Sequence, residues 1–472
     1  MTSRLKLSIA SALALAAFAS LGSRADVPNL RDVLLAFPLT EQLGGDGTRP
    51  IASDIAFALQ TPNSPKRHQR PFSFGNRLFN TNWVEAPGSV KAFDGLGPMF
   101  NRVSCSGCHT KDGRGRPPEN NQGPMDSMLL RISIPGKDAT GGIMPHPVYG
   151  DQISERAILH VEPEGRAEIS YTELPGTYGD GETFSLRQPH YAISNLKYGD
   201  LGKGIMISPR VAPVMIGLGL LQSVPDETLL ALADPDDADG NGISGRPNEV
   251  WDSAAKKKFL GRFGWKANQP NLRQQNAGAA VGDIGIATSL ADGQNCTTAQ
   301  TECTNAIHGG APEMSDEFLD KLTLYTMTIA VPAQRNASDP VVIRGEELFR
   351  TMGCASCHMP TLQTKSVERF PELSNQTFHP FTDLLLHDMG EGLADNRPDF
   401  EASGQEWRTP PLWGLGLIPV VNKHDLLLHD GRARGTAEAI LWHGGDAEKS
   451  REVFRNAAKP ERDALIAFLN SL

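Results

Sequence analysis

Long apolar stretches are scarce in this chain of 472 residues. Beyond the first 25 residues, no segment approaches the roughly 18 uninterrupted apolar residues that a membrane-spanning helix requires. Heptad repeats and low-complexity tracts are also absent, which argues against a coiled coil or a disordered chain. Basic residues are outnumbered, with 45 Lys and Arg against 55 Asp and Glu. We therefore expect a folded chain with no stable membrane insertion and no nucleic-acid partner.

The first 25 residues differ from the rest of the chain. Two basic residues, Arg4 and Lys6, precede an apolar run over residues 7–21, and small residues follow up to Ala25. This order is typical of a secretory signal peptide cleaved after residue 25. A cut after Ala19 and an uncleaved anchor remain alternatives. Removing residues 1–25 would make the formal net charge of −10 more negative.

Cysteine is rare, with six residues in the whole chain. Four of them form two copies of the pattern Cys-x-x-Cys-His. The residues are Cys105, Cys108, His109, Cys354, Cys357 and His358. A zinc half-site or a dithiol would not require histidine directly after the second cysteine, whereas covalent attachment of haem c does. The motifs predict two covalently bound haem c groups, with His109 and His358 as proximal iron ligands. Such attachment is completed outside the bacterial cytoplasm, so we expect a periplasmic protein.

The remaining cysteines, Cys296 and Cys303, lie in a polar segment. In an oxidising compartment this spacing predicts a disulfide across a short loop. A catalytic thiol is the alternative.

Length and composition predict a mainly α fold of two cytochrome c-like haem domains. We place the N-terminal haem c domain at residues 26–330 and the C-terminal cytochrome c domain at residues 331–472. The first is too long for a minimal domain of this kind. Its segment 169–191 is alternating and turn-rich, which predicts a large insertion of loops and short strands.

Three helices are predicted from capping and periodicity. Ser315 precedes an amphipathic run that ends before Pro332. Asp339 can cap and Pro340 can open a helix that leads into the second haem motif. A third helix begins near Pro460 and continues to the C-terminus.

Six stretches of the chain resemble a known family. They are AFDGLGPMFN, SPRVAPVMIGLGLL, GRFGWKANQPNLRQQ, DLLLHDMGEGLAD, EWRTPPLWGLG and LHDGRARGTAEAILWHGG. They are similar to the bacterial di-haem c-type oxidoreductases often labelled thiol oxidoreductases, and more distantly to di-haem cytochrome c peroxidases and MauG. The thiol label has little support, because no free Cys-x-x-Cys remains once both haems are attached.

This resemblance implies roles for several residues. In the peroxidases a tryptophan lies between the haems, followed ten residues later by a glutamine of the distal pocket and about twenty residues later by a catalytic glutamate. Trp265 and Gln275 match the first two positions, but the third is Gly285. Asp283 is the nearest carboxylate, and we expect it to assist acid–base chemistry. An ordinary buried tryptophan and a turn-capping aspartate are the alternatives.

The relatives also place a sixth iron ligand fourteen residues after the histidine of an HDG motif. That histidine is His429, and the ligand position is His443. His443 would complete a bis-histidine haem, with Met389 as its rival and a structural residue at a helix end as the alternative. His190 is a possible sixth ligand of the first haem.

An acidic stretch has part of the pattern of a calcium loop. Asp237, Asp239 and Asn241 have the spacing of the first three ligands, but Asn248 stands where a glutamate is required. Calcium at these residues is one interpretation, and an Asx-rich turn is the other.

Together these features predict a peroxidase-like di-haem oxidoreductase. Electrons would pass from the C-terminal haem to an N-terminal haem that activates peroxide, and a redox partner protein or a small-molecule reductant would supply them. The alternative is a non-catalytic periplasmic electron carrier or redox partner, with a link to iron uptake as one role for it.

Overall fold

The computed structural model describes residues 34–38, 41–118 and 125–472. The predicted signal peptide, residues 1–25, lies outside these residues. Within the described part, no helix combines the length and the apolar character needed to cross a bilayer.

Helices make up 29% of the structure, so the expected mainly α fold needs correction to a mixed one. The α-helices are α1 Lys66–Asn80, α2 Leu218–Gln222, α3 Asp226–Leu232, α4 Leu272–Ala279, α5 Thr301–Thr304, α6 Asp316–Met327, α7 Pro340–Thr351, α8 Ile418–Asn422, α9 Gly435–Leu441, α10 Glu448–Asn456 and α11 Lys459–Ser471. Many are short, because the 47 Gly and 34 Pro interrupt helical hydrogen bonding.

Short strand pairs supply backbone hydrogen bonds in both halves of the chain. The strands are β1 Thr48–Arg49, β2 Met99–Phe100, β3 Met128–Lys137, β4 Ile143–Met144, β5 Arg156–Ala157, β6 Arg166–Thr177, β7 Thr183–Ser194, β8 Met206–Val211, β9 Glu249–Asp252, β10 Lys257–Leu260, β11 Val331–Pro332, β12 Leu362–Gln363, β13 Thr377–Phe378, β14 Leu386–Asp388, β15 Glu406–Arg408, β16 Leu426–Leu427 and β17 Ala433–Arg434. They form the sheet β4-β3-β8 and the pairs β2-β5, β6-β7, β9-β10, β12-β13, β14-β15 and β16-β17, all antiparallel. The pair β1-β11 is parallel.

The three predicted helices are confirmed, and the two predicted caps, Ser315 and Asp339, are present. Ser315 Oγ accepts a hydrogen bond from the backbone N–H of Phe318 at 3.3 Å, which begins α6. Asp339 accepts from the N–H of Val341 at 2.8 Å, and Pro340 is the first residue of α7. Helix α11 buries Leu465 and Phe468 against the core. Local capping therefore sets the first residues of α6 and α7.

Two pairs of helices form the core of the two halves. Helix α1 packs on α6 in the first half, and α7 packs on α11 in the second. Gly345 of α7 allows the closest approach, because a Cβ there would lie 2.0 Å from the carbonyl oxygen of Ala464. The predicted division of the chain at residues 330 and 331 stays a prediction.

The predicted insertion contains a long hairpin, formed by β6 and β7. Its residues contact the second half of the chain. Tyr191 Oη donates to Asp430 at 2.9 Å, and Arg187 donates to the carbonyl oxygen of Gly431 at 3.1 Å. Arg462 of α11 donates to Asp180 in the turn of the hairpin at 2.9 Å. The insertion therefore packs against the C-terminal half.

Candidate haem-binding site

The two Cys-x-x-Cys-His motifs face one continuous cavity of about 940 Å³. Each motif begins on a single 3-10 turn, Cys105–Gly107 in the first copy and Cys354–Ser356 in the second. In both copies the N–H of the histidine donates to the carbonyl oxygen of the first cysteine at 3.0 Å. The duplicated sequence therefore adopts a duplicated local structure.

Both proximal histidines are held by a backbone carbonyl. His109 Nδ1 lies 2.8 Å from the carbonyl oxygen of Pro213, and His358 Nδ1 lies 2.9 Å from that of Phe381. This contact places the ring proton on Nδ1 and leaves Nε2 for a metal. Burial lowers the pKa of both histidines to about 4, so the rings are neutral and able to ligate iron.

The cysteines divide into two classes. Cys296 and Cys303 form the predicted disulfide. The four cysteines of the two motifs are free thiols at the cavity. Burial raises the pKa of Cys105, Cys108 and Cys354 to about 12, which opposes the thiolate that a reactive dithiol needs. Neutral thiols beside an oriented imidazole fit the covalent attachment of haem.

A further imidazole, His443, lines the cavity beside the second motif. It follows α9, and its Nδ1 lies 2.7 Å from the carbonyl oxygen of Ala439. His443 lies close enough to His358 to lower the pKa of that histidine. The rival ligand Met389 also lines the cavity, so the choice between the two stays a prediction.

His429 has a different environment from His443. Its ring stacks on Trp407 with centroids 3.8 Å apart and 12° between the planes. Lys266 lies on Trp407 as well, with Nζ 4.4 Å from the ring centroid. His429 is therefore part of the cavity wall.

The wall near the first motif carries polar groups. Gln275 of α4 lines the cavity, and within the described residues its side chain has no hydrogen-bond partner. Asp283 follows on a π-helical turn, Ala280–Ile284. His190, the possible sixth ligand here, lies on the exposed hairpin and contacts Thr172 at 2.9 Å. The structure does not place it at the cavity.

Backbone packing explains why no glutamate occupies position 285. Gly285 has a φ of 76°, and a Cβ there would lie 2.5 Å from the Cα of Gly97. Any side chain at this position is excluded, since two backbone segments meet at these glycines. Asp283 is therefore the carboxylate that this turn presents to the cavity.

Two residues that the sequence did not indicate hold the Asp283 carboxylate. Gln152 Nε2 donates to Oδ1 at 3.1 Å, and Arg131 Nη2 lies 3.8 Å from the same oxygen. Oδ2 has no partner within the described residues. Burial raises the pKa of Asp283, and the positive charge of Arg131 opposes that shift. The carboxylate therefore binds a proton more readily than an exposed aspartate does.

Trp265 lies at the junction of the two halves. Its Nε1 donates at 2.8 Å to the carbonyl oxygen of Val211, two residues before the carbonyl that holds His109. Its own carbonyl oxygen accepts from the N–H of Arg408 in the C-terminal half at 2.9 Å. The ring is buried and lines the cavity. The bridging role of Trp265 stays a prediction.

Residues 39–472 match a family model described as "Di-haem oxidoreductase, putative peroxidase". The chain belongs to the di-haem oxidoreductase family. No curated protein and no solved structure matches it.

In this di-haem oxidoreductase the acidic loop has its own internal hydrogen bonds. Asp234, Asp237 and Asp239 bring carboxylate oxygens within 4.8 Å of one another. Asp237 accepts from the N–H of Gly242 at 3.0 Å, and Asn241 accepts from that of Ile243 at 2.8 Å. These contacts are typical of Asx turns. They give calcium no support, and binding at Asp237, Asp239 and Asn241 stays a prediction.

Proposed function

We propose that this di-haem oxidoreductase is an exported, periplasmic peroxidase with two unequal haem centres. The reaction is reduction of hydrogen peroxide to two water molecules, with two electrons and two protons consumed. A redox partner protein or a small-molecule reductant supplies the electrons. The observation that carries the proposal is the difference between the two ends of the cavity.

At the C-terminal end, two neutral imidazoles, His358 and His443, line the cavity together. At the N-terminal end, His109 lines the cavity with Gln275 and Asp283 as polar neighbours. His387 and His429 line the same cavity. Two histidine ligands would close one centre to exogenous ligands. A single histidine would leave a position for peroxide at the other.

Haem supplies one-electron chemistry when bound and, at an open position, the activation of peroxide. Asp283 is suited to accept a proton from bound peroxide at its unpartnered Oδ2 and to return it to the leaving oxygen. Gln275 can donate a hydrogen bond from its free amide to orient the peroxide. Trp265 provides an aromatic ring between the two ends, which supports a role in electron transfer.

The test is low-temperature electron paramagnetic resonance of the haem-loaded protein, followed by a titration with hydrogen peroxide. We expect one high-spin and one low-spin ferric signal, with the high-spin signal alone consumed by peroxide. Two low-spin signals that peroxide leaves unchanged, before and after partial reduction, would contradict the proposal. That result would indicate an electron carrier.

A further inference from the structure

Two buried guanidinium groups in the cavity wall lack an acidic partner. The buried arginines of the described chain are Arg114, Arg210, Arg262, Arg397, Arg408, Arg432 and Arg462. Five of these seven form an ion pair with an aspartate or glutamate. Among the described residues, the guanidinium groups of the other two, Arg114 and Arg408, hydrogen-bond only to carbonyl oxygens, and both arginines line the cavity. The exceptions therefore lie where the haems must bind.

Arg114 is held in place by carbonyl groups. Nε donates to the carbonyl oxygen of Leu426 at 2.7 Å, and Nη2 donates to that of Leu428. Nη1 has no partner within the described residues. Burial lowers the pKa of this guanidinium to about 10, the mark of a desolvated cation whose charge is poorly compensated. Its Cζ lies 5.4 Å from the centre of the Trp265 ring.

Arg408 has the same pattern next to the backbone of Trp265. Nε donates to the carbonyl oxygen of Gly264 at 3.0 Å and Nη1 to that of Thr409 at 3.0 Å. Nη2 is without a partner in the part of the chain that the structure describes. Burial lowers the pKa of this guanidinium to about 10 as well. Two buried positive charges thus flank one tryptophan, each with a free donor nitrogen.

A buried cation without an anion is costly, and so is a buried carboxylate without a cation. Each haem carries two propionate carboxylates, and the planar fork of a guanidinium matches a carboxylate in geometry and charge. We propose that Arg114 binds a propionate of the N-terminal haem and that Arg408 binds a propionate of the C-terminal haem. The acidic edges of both haems then meet at Trp265.

Chain position supports this assignment of each arginine to one haem. Arg114 follows His109 by five residues. Arg408 is influenced electrostatically by Asp383, whose N–H donates to the carbonyl oxygen of Cys357 at 3.1 Å. The assignment requires two bound haems and does not require that either one react with peroxide.

The experiment is a spectroelectrochemical titration of both haems in R114Q and R408Q, without peroxide. Loss of a positive charge beside a haem favours the ferric state, so its reduction potential falls. We expect R114Q to lower the potential of the N-terminal haem and R408Q that of the C-terminal haem. The charge-conserving variants R114K and R408K should recover most of each shift. R187Q is the matched control, because Arg187 also binds two carbonyl oxygens, those of Gly431 and Arg432, but lies on the hairpin.

Potentials in R114Q and R408Q equal to those of R187Q would overturn the proposal. A shift of only the opposite haem would overturn the assignment. If a glutamine variant does not accumulate with both haems bound, the corresponding lysine variant is compared with the native protein. The measurement is a reduced-minus-oxidised infrared spectrum, recorded with haem that is labelled at its carboxylates. A propionate band that moves in the lysine variant supports the contact, and an unchanged band overturns it.

Discussion

The two ends of the haem cavity are alike on the side of the proximal histidines and differ on the opposite side. On the proximal side, His109 and His358 follow the same motif and donate to a backbone carbonyl at nearly the same distance. Across the cavity, the C-terminal end presents His443 and the N-terminal end presents Gln275 and Asp283. Duplication of a motif therefore specifies where each haem is attached. The two ends differ in the opposite wall.

The halves also treat buried carboxylates differently. Glu164 in the first half is buried with only neutral donors, Gln300 at 2.6 Å and the N–H of Ser154 at 2.7 Å. Burial raises its pKa to about 8. Asp430 in the second half lies 2.9 Å from Arg432, and its pKa is lowered. The ion pair with Arg432 keeps Asp430 ionised, whereas Glu164, which is held by neutral donors, has a raised pKa.

The largest effects are expected from removing one haem at a time. Replacing Cys105 and Cys108 with serine should abolish the high-spin signal and peroxide consumption. Replacing Cys354 and Cys357 with serine should remove the low-spin signal instead, because the covalent anchors of the other haem are lost. Haem content by alkaline pyridine spectra and paramagnetic resonance provide the measurement. Loss of the same signal in both variants would contradict the assignment of one signal to each haem.

Asp283→Asn should slow peroxide consumption by about 10²-fold, since a positioned proton acceptor contributes on that order. In the native protein the rate should rise with pH through the raised pKa of Asp283, because the ionised form accepts the proton. The variant should lose that rise, and stopped-flow kinetics across pH would show it. Asp151→Asn is the control, as Asp151 lies 3.0 Å from the same Arg131. Equal losses in both variants would assign the effect to Arg131.

His443→Met should leave the C-terminal haem low-spin and raise its reduction potential, because a thioether favours the ferrous state more than an imidazole does. Met389→Leu should change neither property. Potentiometry with paramagnetic resonance would check both variants. A conversion to high-spin in Met389→Leu alone would identify Met389 as the ligand.

The last prediction concerns stability and not activity. Glu164 has a folded pKa of about 8, above its usual value near 4, so the folded state favours the protonated form. The contribution of Glu164 to the free energy of unfolding is fully present below its usual pKa near 4. It is lost as pH rises from there to about 8, by on the order of 3–5 kcal/mol. Glu164→Gln should remove this dependence. Thermal unfolding from pH 5 to 8 would measure it, and a native profile that rises with pH would contradict it.

Short-range chemistry accounts for what the sequence predicted well. The haem anchors form one pentapeptide each, and the caps Ser315 and Asp339 lie within three residues of the N–H groups they bind. The hairpin of β6 and β7 is local too. Each of these features depends on neighbours along the chain.

Long-range pairing accounts for what the sequence did not predict. Arg131 and Gln152 reach Asp283 from a distant part of the chain, and neither lies in a recognisable pattern. The parallel pair of β1 with β11 joins Thr48 to Val331. Such contacts leave no periodic signal in the sequence.

The shared cavity has a consequence for biogenesis. All four anchoring thiols face an interior that both halves enclose, and the β6-β7 hairpin of the first half packs on Asp430 and Arg462 of the second. Packing of the hairpin narrows the access to these half-buried thiols. We therefore expect both haems to be attached before the hairpin packs on the second half.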